Sequence, residues 1–294
     1  RTSVRGWAVL VLNRSQYSSV VLASFAFGIF LPFIKDDLDL SALQVGILQG
    51  VWWVTWAATI LPFGAWLSRF RPVTMVTLSL VLLIPFVFMQ GASNSFMMLL
   101  ASRFLVVLCF TIGAQSRPLL FQQWAAPREY PSINAVGQSM HSLIMALTIS
   151  ASPFLIGALG SWRVAYYLQG GLMIVHLALW IILAKESRAP VSNISEVLKS
   201  DHKRPLRAIL KYRHGWYMGL VMFSLAAAWT STVTFLPTIL QDDRGVAITT
   251  GASLLGFMYY ALIPGSLLGG YIYRREPNRK VLLSAPVIVS ASMA

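Results

Sequence analysis

The sequence is short of charge. Only 11% of its 294 residues are charged and 56% are apolar, whereas soluble domains carry roughly 25% charged residues. A chain this poor in charge cannot keep a water-facing surface over most of its length, so lipid is its main solvent. Cysteine is nearly missing. A single Cys109, inside an apolar run, excludes an intramolecular disulfide and a paired-thiol metal site. No G-x-S-x-G, H-E-x-x-H or G-x-x-x-x-G-K-[ST] occurs, which excludes a nucleotide-driven pump within this chain, leaves no enzyme constellation and implies no cofactor or metal. A cleavable signal is missing too: WAVLVL after Arg1 and Arg5 is too short and is interrupted by Arg14.

What is present is a set of long apolar runs, at 7–34, 43–67, 72–91, 96–123, 134–158, 164–184, 215–240, 249–273 and from 281 to the end. A membrane span needs about 20 such residues. In hydrocarbon every backbone group must be satisfied within the segment or a closed barrel, and these runs lack a barrel strand's alternation. The expected fold is all-α, a polytopic membrane helix bundle.

The formal charge of +13 could point to nucleic acid, but the placement of the basic residues argues otherwise. Seventeen Lys and Arg fall in one alternate set of loops and three, Lys35, Arg163 and Arg244, in the other, beside Asp36, Asp37, Asp39, Asp242 and Asp243. The positive-inside bias then places the N-terminus and the 185–214 loop in the cytoplasm, in a multi-pass protein of the plasma (inner) membrane, with lipid and no nucleic acid as its surroundings. Within that loop LRAILKY has Leu206, Ile209 and Leu210 on one face beside Arg207 and Lys211, the pattern of a basic interfacial helix or of a plain solvated linker.

The chain also repeats itself. At an offset of 205 residues, fifteen positions agree over the 61 from Ser19/Ser224 to Ser79/Ser284, among them Gly46/Gly251, Gly64/Gly269, Arg69/Arg274 and Pro72/Pro277. Composition alone would give roughly one match in twelve. The repeat maps the first three runs onto the last three, so 1–184 reads as one six-helix half, 185–214 as a linker and 215–294 as the first three helices of a second half. A second half of equal length would run to about residue 390.

Six helices, a basic linker and a second parallel set resemble the major facilitator superfamily of secondary transporters. LPFIKDDLDLSALQVGIL is similar to the family's end of helix 1 and start of helix 2, and GAWLSRFRP, 64–72, to its G-x-x-x-D-R-x-G-R-R loop. Gly64 and Arg69 match that loop, while Ser68 stands at its Asp and Arg71 at its Gly. SWRVAYYLQGG, 161–171, is similar to the family's entry into helix 6, and Arg103 matches its helix 4 arginine. The resemblance implies alternating access about a midplane site lined by helices 1, 4, 7 and 10. It gives structural or gating roles to Gly64, Arg69 and Arg103, and through the repeat to Gly269 and Arg274. It names no substrate.

Three charges lie inside the runs, Arg14, Arg103 and Arg117, and no Asp or Glu does. A mid-membrane arginine costs about 2.5–3.5 kcal/mol on insertion scales and usually faces a cavity or a partner. The guanidinium suits bidentate carboxylate, phosphate or sulfate, so a small organic or inorganic anion is the expected solute. Arg14 and Arg117 are its candidate ligands, with snorkelling to the headgroups as the alternative. The fifth run carries Gln138, His141, Ser142, Thr148 and Ser152 on one helical face, with Met145 between, a stripe that either lines a wet path or joins helices. Gln138 and His141 of this face join the candidate binding set, with Gln115 of the fourth run and Trp229 and Thr230 in the repeat's counterpart of the first helix. His141 can carry a coupling proton, the alternative being a neutral histidine bonded to a Gln or Ser of a neighbouring helix; proton and sodium are the coupling ions that the solute could use. His176 has no polar neighbour at helical spacing and reads as packing. Rival readings are an exporter of hydrophobic compounds, suggested by the aromatic and Met-rich interior, and a non-transporting receptor or scaffold.

Overall fold

The computed structural model describes residues 2–20, 27–67, 70–186 and 213–275. Among them there is no strand. The helices are α1 (Val4–Ser19), α2 (Phe27–Asp37), α3 (Ala42–Leu67), α4 (Pro72–Gly91), α5 (Phe96–Trp124), α6 (Tyr130–Leu159), α7 (Trp162–Leu183), α8 (Arg213–Arg244) and α9 (Ile248–Arg275). α1 and α2 fall in the first apolar run, of which 21–26 lie outside the described residues, and α3 to α9 follow the next seven in order. The basic interfacial segment 206–212 and the run from 281 lie outside the described residues, as does Arg69. Among the described residues, five helices contain stretches long and apolar enough to cross a membrane: Ala42–Gly64, Pro72–Gly91, Phe96–Trp124, Trp162–Leu183 and Ser253–Ile272.

Local chemistry sets the helix ends. Pro72 occupies the first position of α4, where its missing N–H is no loss, and Arg71 before it is extended. Ser95 and Ser161 cap α5 and α7, their hydroxyls accepting from the backbone N–H of Met98 at 3.4 Å and of Arg163 at 3.2 Å. The turns from α2 to α3 and from α8 to α9 each contain a left-handed residue, Asp39 (φ 48°) and Gly245 (φ 62°), at nearly equivalent places in the repeat.

α1 packs against α5, α6 and α7, while α4 rests on α5 and α7, α3 on α5, α9 on α6, and α8 on α9. The buried apolar side chains form one cluster, with Leu80, Leu83 and Val87 of α4 and Val106 and Val107 of α5 fully enclosed. Large apolar residues such as Leu172, Ile181 and Phe257 are exposed on the outside, the inversion that lipid permits and water does not.

Polar contacts gather at the two ends of the bundle. At one end Arg163 of α7 pairs with Asp37 of α2 and donates to the Ser93 carbonyl at 2.9 Å, and the Trp162 indole donates to the same carboxylate at 3.3 Å. At the other end the Thr2 N–H donates to Glu129 Oε2 at 3.0 Å, Arg5 Nε to the Leu183 carbonyl at 3.2 Å, and the Val73 N–H to Glu186 Oε1 at 2.9 Å. Among the described residues, the Asp37–Arg163 contacts and the Thr2–Glu129 contacts thus lie at opposite ends of α7 and its neighbours.

Candidate functional site

Successive residues of an α-helix point about 100° apart, so a run of polar residues on a helix enclosed by others addresses several neighbours. α1 places Arg14, Ser15 and Gln16 this way. Arg14 turns to α6, where its terminal nitrogen donates to Gln138 Oε1. Ser15 turns to α7 and sits 3.5 Å from His176 Nδ1. Gln16 turns to α4 and α5: its amide donates to Ser79 Oγ at 3.2 Å, which donates to the Cys109 carbonyl at 2.7 Å. Gly113 leaves the room for this, since a Cβ there would stand 2.7 Å from both Gln16 Nε2 and Ser79 Oγ.

The Ser15 contact corrects the reading of His176 as packing without polar company. Its neighbour comes from α1, 161 residues away in sequence, so spacing within α7 carries no sign of it.

His141 lies one turn along α6 from Gln138 and is buried. Arg14 on α1 and Arg117 on α5 are its charged neighbours. Four of the residues singled out from sequence, Arg14, Arg117, Gln138 and His141, therefore come from three helices to one place. Ser142 and Met145 continue the same face as buried residues, and Thr148 is half-buried.

The other candidates lie elsewhere. Gln115 turns toward α3, where a Cβ on Gly64 would stand 3.2 Å from its Oε1. Arg103 is fully buried: its guanidinium carbon sits 3.5 Å above the Phe27 ring, its Nε donates to the Leu48 carbonyl at 3.0 Å, and its charge reaches Tyr166. It joins α5 to α2, α3 and α7. Gly269 is exposed on α9 with nothing near it, while Arg274 falls in the last turn of α9 and Trp229 and Thr230 in the middle of α8.

Sequence reasoning passed over Ser139. Its hydroxyl meets Ser266 Oγ of α9 at 2.7 Å. Ser150 and Ala135 lie against Gly256 and Gly270 on the same helix pair, so α6 meets α9 along a face of small residues. A separate cavity of about 350 Å³ between α3 and α8 is lined by Trp53, Trp56, Ala57, Ile60, Phe223, Ala226 and Ala227, and shares no residue with the arginine cluster.

A sequence profile described as Major Facilitator Superfamily matches residues 16–294. The chain is similar to a hexuronate transporter of Bacillus subtilis, 24% identical over 282 residues, which are 90% of this chain and 64% of that protein. It is 22% identical over 275 residues to a protein of Cupriavidus necator named "Probable sulfoacetate transporter", covering 88% of this chain and 63% of the relative. The chain thus spans less than two thirds of either relative's length. The fold is that of a bacterial homolog to the human lysosomal transporter Spinster, solved inward-facing and unoccupied, with a TM-score of 0.65 at 18% identity over 95% of this chain and 64% of that one.

Proposed function

The chain belongs to the Major Facilitator Superfamily, and from that premise we propose that it moves a small anionic solute across the membrane by alternating access. The observation that carries this reading is the meeting of Arg14, Arg117, Gln138 and His141: two permanent cations act on one buried imidazole, within spans that contain no acidic residue. Permanent positive charge held in a low-dielectric interior favours a carboxylate, sulfonate or phosphate over a neutral or cationic solute. The hexuronate and sulfoacetate in the relatives' names are anions of these kinds and support the same class.

In this reading 1–184 and the chain from 215 onward belong to two halves that rock about the site, joined by the linker 185–214. The N-terminus and linker face the cytoplasm, and the solute gradient, or a coupled proton or sodium ion, drives the cycle. Arg14 and Arg117 hold the anion, and the Gln138 amide and His141 complete the ring of donors. Gln115, Trp229 and Thr230 extend the path along α5 and α8. Arg69, Arg103, Gly64, Gly269 and Arg274 serve closure and rigidity rather than solute contact.

Counterflow in proteoliposomes tests it, using the complete reading frame and labelled anions, cations and neutral solutes beside Arg117→Ala. Anion-selective flux in the wild type, reduced at least about tenfold in the variant, is expected. Flux indifferent to Arg117 overturns the arginine site. Export of hydrophobic compounds is the second reading, and the apolar cavity between α3 and α8 is the observation in its favour. Flux of hydrophobic cations would promote it.

A further inference from the structure

Two adjacent residues of α6 lie against Arg14. The arginine stem crosses α6 at Gly137, where a Cβ would stand 3.3 Å from Arg14 Cγ and 3.8 Å from Cδ. One residue on, Gln138 Oε1 accepts from a terminal nitrogen of the guanidinium. The stem thus lies in a notch and the head is held at one edge. His141, one turn further on the same face, is where the charge of Arg14 is felt.

The holder is an amide. A carboxylate at this position would bind the guanidinium in a buried ion pair, and a solute anion would have to displace it before gaining the same charge. An amide oxygen is neutral, so it can fix the direction of a guanidinium without cancelling its charge.

We propose that Gln138 is the positioning and specificity-determining residue of this site: through a neutral oxygen, and over the clearance left by Gly137, it aims Arg14 at the His141 face of α6 and keeps its full charge for an anionic solute. This rests on the reading of Arg14 as an anion ligand. It changes the part played by Gln138 from one more donor to the group that decides the sign of solute the site accepts.

The test is uptake of labelled glucuronate and of sulfoacetate, measured separately with the full-length protein in proteoliposomes. Arg14→Ala, Gln138→Ala, Gln138→Glu and Gly137→Ala are compared for KM, kcat and melting temperature. Gln138→Glu is expected to raise KM at least about tenfold with kcat within about twofold, and to keep or raise the melting temperature because the new carboxylate pairs with Arg14. Gln138→Ala, which removes the aim but not the charge, is expected to raise KM about threefold, and Gly137→Ala by a similar amount as its methyl displaces the stem.

A purely structural glutamine would instead lose melting temperature in Gln138→Ala with KM unchanged. Wild-type KM in Gln138→Glu alongside an impaired Arg14→Ala overturns the role of Gln138 and leaves the anion site standing. Wild-type KM in Arg14→Ala overturns the anion site itself, and this inference with it. Should Gln138→Glu fail to fold, wild-type KM in both Gln138→Ala and Gly137→Ala is the overturning result.

Discussion

Arg103 is a buried charge whose described contacts are with the helices around it. The side chain is fully enclosed, with the Phe27 ring beneath its guanidinium and the Leu48 carbonyl as acceptor. Cation–π attraction strengthens in such a desolvated place, and only a planar, weakly hydrated cation can stack and donate at once. Arg103→Lys is therefore expected to lower stability by about 1–2 kcal/mol and Arg103→Ala by about 2–4 kcal/mol, read as melting temperature in detergent, with KM unchanged in whatever protein survives. The presence of Arg14, Arg103 and Arg117 within apolar runs was legible in the sequence, because three cations stand out against a lipid-facing composition. Their different partners were not. His176 makes the same point in reverse: no periodicity within α7 announces a hydroxyl on α1.

At the scale of elements, the contact of α6 with α9 is made by small side chains. A Cβ on Gly270 would stand 2.6 Å from Ala135 Cβ, and one on Gly256 3.3 Å from the Ala146 carbonyl. Without a hydrophobic drive between helices in lipid, close approach and hydrogen bonds such as Ser139 to Ser266 hold them together. Gly270→Leu is expected to part the helices and to abolish or sharply lower the yield of folded protein. Gly269→Ala, one residue away and facing open space, is expected to leave the yield unchanged and to stabilise α9 by at most about 1 kcal/mol. Size-exclusion profiles and melting curves of the two variants check this. The repeat singled out Gly269 through its match with Gly64, yet Gly270 carries the tight contact. Matching residues in a sequence repeat do not say which helix each position faces.

At the scale of the whole molecule, the two ends of the bundle are held differently. One end ties α2, α7 and the α4–α5 turn through Asp37, Arg163 and Ser93; the other ties the N-terminal residues to Glu129 and the end of α7. Ser3 and Asp36 are exposed at opposite ends, and the one cysteine, Cys109, is buried. Ser3→Cys and Asp36→Cys, made singly, are therefore expected to react with a membrane-impermeant maleimide from opposite faces, Asp36→Cys in intact cells and Ser3→Cys only after the membrane is opened. Labelling of both from one face would overturn the sidedness drawn from basic residues.

The sequence by itself determined the class of this protein, because length, hydropathy and loop charge are properties of each segment alone and lipid reads them segment by segment. It determined the order of the described helices for the same reason. Only the tertiary structure decided which polar faces meet: that Arg14 turns to Gln138 and Gly137, that Gln115 turns to Gly64, and that Ser139 joins α6 to α9. Those pairings join residues 51 to 127 positions apart, and the packing of whole helices sets them, while a single helix's pattern reports only its own faces.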